Sequence, residues 1–182
     1  MNRVHTISIP QACCTSCNNE QLYVGTLKPS PIRMNLEPLR VEQEYPLNPI
    51  LHTKKRNRYP WLQYMKVVFD SVFLLFTGSP SPLQAFSLEG ELLMSILTED
   101  QIVGAYYFTI FRNPMTLEWR IYICDFWDNF IKVFYFEGKF IGNVCGAGHG
   151  LCQIFSPTCI NIEVIGYVTV GDMKLDNCLQ KL

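Results

Sequence analysis

The side chains of this chain that could do chemistry gather in a few short stretches. The first is Cys145-Gly-Ala-Gly-His149-Gly-Leu-Cys152, with Cys159 seven residues further on. Thiolate and imidazole are the ligands zinc takes in a tetrahedron, and Gly146, Gly148 and Gly150 would let the loop wrap an ion. Cys145, His149, Cys152 and Cys159 are therefore the candidate metal ligands, with zinc as the one cofactor the residues suggest. The competing reading is a plain connection with incidental thiols and no cofactor. The common zinc pattern has two Cys-x2-Cys pairs, and here only Cys14-x2-Cys17 has that spacing. A thiolate–imidazolium pair of Cys145 or Cys152 with His149 is the only nucleophile that spacing offers. There is no Gly-x-Ser-x-Gly, phosphate-binding loop, dinucleotide fingerprint or His-Glu-x-x-His. With three histidines in the whole chain, acid–base candidates are few, and the balance leans against an enzyme.

Two further stretches suggest contact rather than catalysis. Cys13, Cys14 and Cys17 cluster near the start and form a candidate acylation site; one acyl chain gives only marginal membrane binding and needs a second anchor. Lys54, Lys55, Arg56 and Arg58 put four positive charges within five residues. That run has the form a nuclear import receptor reads, and it could equally sit on acidic lipid. Against both stands a solvated hinge, since short basic clusters are common.

The elements that would position these groups divide unevenly. The 182 residues carry a net charge of −1, which leaves no bulk case for nucleic acid as a partner. Residues 1–58 hold eight Lys/Arg against four Asp/Glu, while 59–182 hold seven against twelve. Six of the eleven prolines precede residue 58, and only Tyr23 and Tyr45 of the aromatics do. The expected organisation is an extended, basic, proline-containing arm over 1–58 and a β-rich domain over 59–182. Apolar positions at 61, 62, 64, 65, 68, 69, 72, 73 and 76 match one face of a helix, while Val67, Val68, Val72 and their phenylalanine neighbours also suit a strand. Strands are expected at 102–111, 117–124 and 160–164, with another at 166–170. Runs at 130–136 and 139–145 flank Glu137-Gly138 and read as a hairpin. No internal repeat of 20–50 residues is visible. The expected fold is mainly β or α+β: an antiparallel sheet or partial barrel with about one helix.

One resemblance follows from several of these segments. Leu62-Gln-Tyr-Met65, Phe69-Asp-Ser-Val72, Ala105-Tyr-Tyr-Phe108, Arg120 to Asp125 and Ile165-Gly-Tyr-Val-Thr169 occur in that order. Together they resemble the first half of the phospholipid scramblase (tubby-like) domain, over at most residues 60–170. The family's cysteine cluster is reduced here to Cys145, Cys152 and Cys159. Its second half, with the core helix and acidic calcium segment, has no counterpart, so no calcium ligand is carried over. The resemblance implies a membrane-associated, acylated relative.

With no secretory signal and no clean apolar run of bilayer length, the expected setting is intracellular, in cytoplasm or nucleus with membrane association as a variant. Eight cysteines in such a chain are expected as thiols. The function expected from the residues is a non-enzymatic module that binds a protein partner. The alternatives are a scramblase-like lipid binder at a membrane surface and a small zinc protein.

Overall fold

A computed structural model describes residues 8–18, 21–26, 31–36, 39–44, 61–148, 150, 153–163, 167–173 and 179–181. Among the described residues the regular structure is entirely β, with no helix. The first sheet contains β1 (Ala12–Asn18), β2 (Gln21–Thr26), β3 (Ile32–Leu36) and β4 (Leu39–Glu44). The second contains β5 (Trp61–Val68), β6 (Ser71–Thr77), β7 (Leu83–Ser87) and β8 (Leu92–Ser95). In the third are β9 (Ala105–Arg112), β10 (Trp119–Asp125), β11 (Phe130–Tyr135) and β12 (Phe140–Asn143). Each is a four-stranded antiparallel meander in chain order. A short parallel pair, β13 (Gly146–Ala147) and β14 (Gln153–Ile154), leads to a three-stranded sheet of β15 (Pro157–Ile162), β16 (Val168–Asp172) and β17 (Leu179–Lys181).

The sheets stack face to face as a fan. Their first strands meet: β1 lies beside β5, β5 beside β9, and β9 beside β15. Three apolar layers fill the gaps. Tyr23 of the first sheet packs against Leu62, Met65, Val72, Leu74, Phe76 and Phe86 of the second. Phe73, Leu75, Leu83 and Ala85 face Phe108, Ile121, Ile123 and Phe134 of the third. Beyond that sheet, Cys124 and Ile131 meet Ile160, Val168 and Val170. Strand side chains alternate between faces. Along β6, Val72, Leu74 and Phe76 therefore enter one layer while Phe73 and Leu75 enter the next. A strand buried on both faces reads as a continuous apolar run.

That geometry replaces the helix expected over 61–76. The segment is a hairpin, β5–β6, turning at Phe69, whose φ is 54°. The helical spacing has a specific origin. The β5–β6 register shifts between Leu62 and Tyr64, so Leu62 and Met65, three residues apart, enter the same layer. A bulge thus imitates helical periodicity. The hairpin expected around Glu137-Gly138 is present as β11–β12, with Gly138 at φ 85°. A Cβ there would lie 1.8 Å from the Ile96 carbonyl oxygen, so the turn requires glycine on two counts.

The described part of 1–58 is also not an extended arm. Residues 12–18, 21–26, 32–36 and 39–44 build the first sheet, and Tyr23, fully buried, belongs to its contact with the second. Pro31 immediately precedes β3, a position where the missing N–H removes no ladder bond. A structural repeat exists as well, beginning at Ala12, Trp61, Ala105 and Pro157. It is a repeat of backbone path, so residue identity did not reveal it.

Candidate functional site

The repeat places comparable residues at the end of each second strand. Thr26 pairs with Ala12, Thr77 with Trp61, Asp125 with Ala105, and Asp172 with Pro157. Each first strand bulges just after or near that pair. The residue before the end is Gly25 in the first sheet and Gly171 in the last, opposite Cys14 and Cys159 respectively. A Cβ at either glycine would come within 2.4 Å of the facing Sγ.

At two of these ends an aspartate holds the connection that leads into its own sheet. Asp125, with no exposed surface, accepts hydrogen bonds from Val103 N (2.9 Å) and Gly104 N (2.7 Å). Its third partner is Lys132 Nζ at 2.8 Å, which also reaches Asp128 at 2.6 Å and donates to the Gln101 carbonyl at 3.2 Å. Burial alone would lower the Lys132 pKa, but the hydrogen bonds and charges of Asp125 and Asp128 raise it above its ordinary value. Asp172, equally buried, accepts from Phe155 N. Thr77 acts across the layer instead and donates its hydroxyl to the Ala105 carbonyl at 3.0 Å. The 96–104 connection is thereby fixed at its end from both neighbouring sheets.

A cleft of about 400 Å³ opens against this pinned connection. Thr77, Gly78, Glu99, Asp100, Val103 and Gly104 are among the residues that line it. Among the described residues the lining includes two carboxylates and no Lys, Arg or His. The Thr98 hydroxyl, and then its own backbone N–H, hold Asp100 below the usual carboxylate range. Beside the cleft, the indole of Trp127 covers Gly104, where a Cβ would sit 2.0 Å from its Cδ1. Phe126 meets Trp127 edge-on at 4.9 Å and stacks on Tyr106 at 5.3 Å. Trp127 is 69% exposed and Val103 66%. The arrangement is a concavity with an acidic lip and an aromatic shoulder. It presents shape, charge and ring faces.

The residues singled out by sequence fall elsewhere. Cys145 is buried in the apolar layer with Cys124 and Ile131, and Cys159 is exposed on β15. His149 and Cys152 lie outside the described residues. Among the described residues no three His, Cys, Asp or Glu side chains are grouped to hold a metal. Cys13, Cys14 and Cys17 all stand on β1. Cys13 and Cys17 are exposed, while Cys14 is half-buried with its Sγ 3.7 Å from that of Cys13. Burial, followed by the neighbouring Cys13, pushes the Cys14 thiol well above its ordinary value, which makes it a poor nucleophile. Lys54, Lys55, Arg56 and Arg58 lie outside the described residues. The Asp125 anchor and the Trp127 shoulder were not foreseen. The only signal for the first was an acid closing an alternating run before a turn.

No known family profile and no curated protein sequence matches this chain. Its fold is nevertheless shared. Over 92% of its length it is similar to a Bacteroides thetaiotaomicron protein of unknown function, with a TM-score of 0.67 and 15% identity, spanning 46% of that chain. An auxiliary nutrient binding protein from Bacteroides ovatus gives a TM-score of 0.66 and 13% identity over 92% of this chain and 46% of its own. A chain in a nidogen–laminin complex gives 0.59 and 11% over 91% and 59%. The chain thus spans about half the length of several solved structures it resembles. These are β-propeller-like proteins, and the four-stranded meanders of this chain resemble propeller blades. This overturns the scramblase resemblance. Its described segments fall on β5, β6, β9, β10 and β16, strands of three separate sheets rather than successive staves of one barrel; Ile165 and Gly166 lie outside the described residues.

Proposed function

We propose that this protein is a non-enzymatic intracellular binding module that takes a protein partner on the face where the cleft adjoins Trp127. The observation that supports it is the continuity of the two features: Gly104 lines the cleft and lies under the exposed indole. Rings held by neighbouring rings offer contact area at low entropic cost, and tryptophan is over-represented among the residues that carry binding energy. Glu99 and Asp100, with no cation among the described lining residues, favour a partner segment that carries Lys or Arg beside an apolar residue.

The test is affinity purification from cells with the full chain, its Trp127→Ala variant and its Leu93→Asp variant. Leu93 is 54% exposed on β8 and is not among the residues lining the cleft. A partner retained by Leu93→Asp and lost with Trp127→Ala supports the reading. A partner set indifferent to Trp127 removes this face from the function.

A further inference from the structure

The first strands of the second and third blades carry a second polar constellation, away from the Trp127 shoulder. Tyr64 and Lys66 lie two residues apart on β5, and Tyr107 and Thr109 two apart on β9, so each pair shares one strand face. They meet as two rungs across the gap between the strands. Tyr64 donates its hydroxyl to Tyr107 at 2.9 Å, with ring centroids 4.0 Å apart. Lys66 Nζ donates to Thr109 Oγ1 at 2.9 Å. All four side chains are buried or half-buried.

The donors exceed the acceptors. An ammonium carries three protons, and Thr109 takes one from Lys66. With the Tyr64 proton spent on Tyr107, the Tyr107 hydroxyl keeps its own proton for a further partner. Thr109, which accepts from Lys66, likewise keeps its hydroxyl proton. Among the described residues no carboxylate lies within ion-pair distance of Lys66. Burial lowers the pKa of this amine, as expected for a cation that has lost water without gaining a counter-charge.

We propose that Lys66, Tyr107 and Thr109 form a binding site for the carboxylate of a small-molecule ligand. An oxyanion supplies acceptors for the protons that the described side chains leave over. One cation balances one negative charge, so a carboxylate suits the site, whereas a phosphate dianion would leave excess charge beside two tyrosine rings.

The experiment titrates the full chain, labelled with 13C at lysine Cε, with sodium acetate. Sodium phosphate is a second arm and sodium chloride the ionic-strength control. The Lys66 resonance is assigned by its loss in Lys66→Met. We expect a saturable acetate shift that chloride does not reproduce. Tyr107→Phe should weaken it by about threefold, and Lys66→Met, followed on neighbouring methyl resonances, by at least about tenfold. Equal responses to acetate and chloride overturn the site, as does unchanged acetate affinity in both variants. Tighter saturation by phosphate than by acetate overturns the carboxylate assignment. Should Lys66→Met fail to fold, Tyr107→Phe together with Thr109→Val gives the same decision.

Discussion

Replacing Asp125 by alanine tests whether the buried aspartate, rather than apolar packing alone, holds the 96–104 connection. In the native protein its two oxygens satisfy Val103 N, Gly104 N and part of Lys132. Alanine leaves two backbone N–H groups without that acceptor in a site where the carboxylate had no contact with solvent. Each orphaned donor costs about 1–3 kcal/mol. Lys132 loses its buried partner but keeps Asp128 at 2.6 Å and the Gln101 carbonyl at 3.2 Å, which limits the electrostatic loss. The sum is about 2–6 kcal/mol, a span that includes the range for breaking a buried pair. Asparagine retains one acceptor oxygen and should cost roughly half as much. Asp128→Asn removes the exposed partner of the same lysine and should cost no more than about 1 kcal/mol. Urea unfolding at pH 7 measures all three. Hydrogen exchange at Val103 and Gly104 then localises the effect, since those two amides should lose protection before the rest of the third blade. An Asp125→Ala cost below about 1 kcal/mol, or unchanged exchange at both amides, refutes the anchoring role.

Other expectations follow from the same geometry. Gly138→Ala sets a Cβ against the Ile96 carbonyl in a left-handed backbone, so it should cost about 2–4 kcal/mol by urea unfolding, whereas a cost near zero would contradict the turn. Gly104→Ala sets a Cβ 2.0 Å from Cδ1 and 2.8 Å from Cγ of Trp127, so the ring held by Phe126 must be displaced; it should cost about 1–3 kcal/mol and shift Trp127 fluorescence, and an unchanged spectrum in a background lacking Trp61 and Trp119 would argue against the close contact. Lys66 has a folded pKa below its ordinary 10.5, so the folded state releases this proton first as pH rises. Native stability relative to Lys66→Met should therefore increase with pH through the lowered value and level off above 10.5, measured as the difference in urea midpoints; a difference flat from pH 7 to 11 would count against a desolvated amine. Tyr64, the nearest titratable neighbour on the same strand, is pushed up by burial and so stays neutral through most of that range. Zinc at Cys145, His149, Cys152 and Cys159 would give about one equivalent by elemental analysis of the purified chain, lost when Cys145 and Cys159 are both replaced by Ser; metal-free protein ends that proposal.

Much of the β content was legible because it is written in local chemistry. Ile160-Asn-Ile alternates, Glu137-Gly138 marks a tight turn, and β-branched and aromatic residues fill 105–112 and 130–135. These features set strand type wherever the strands end up. Other outcomes depend on neighbours the sequence does not name. Whether 61–76 is helix or hairpin turns on a bulge near Gln63 and on layers waiting on both faces of β6. The described residues of the first 44 form a sheet because Tyr23 finds Leu62 and Phe76 across the gap, a gain invisible in their proline and charge content.

The candidate sites divide in the same way. The sequence by itself determined that the chain is strand-rich and that Asp125 closes an alternating run before a turn. It also determined that aromatic residues concentrate after residue 58. Only the tertiary structure decided that Asp125 would meet the amides of Val103 and Gly104, some twenty residues earlier in the chain. It likewise decided that Lys66 would face Thr109, and that Trp127 would cover Gly104. The physical reason is range. Strand propensity and turns are set within a few residues, whereas hydrogen-bond partners and burial are set by which sheets stack, a choice made by apolar surface summed over the whole chain.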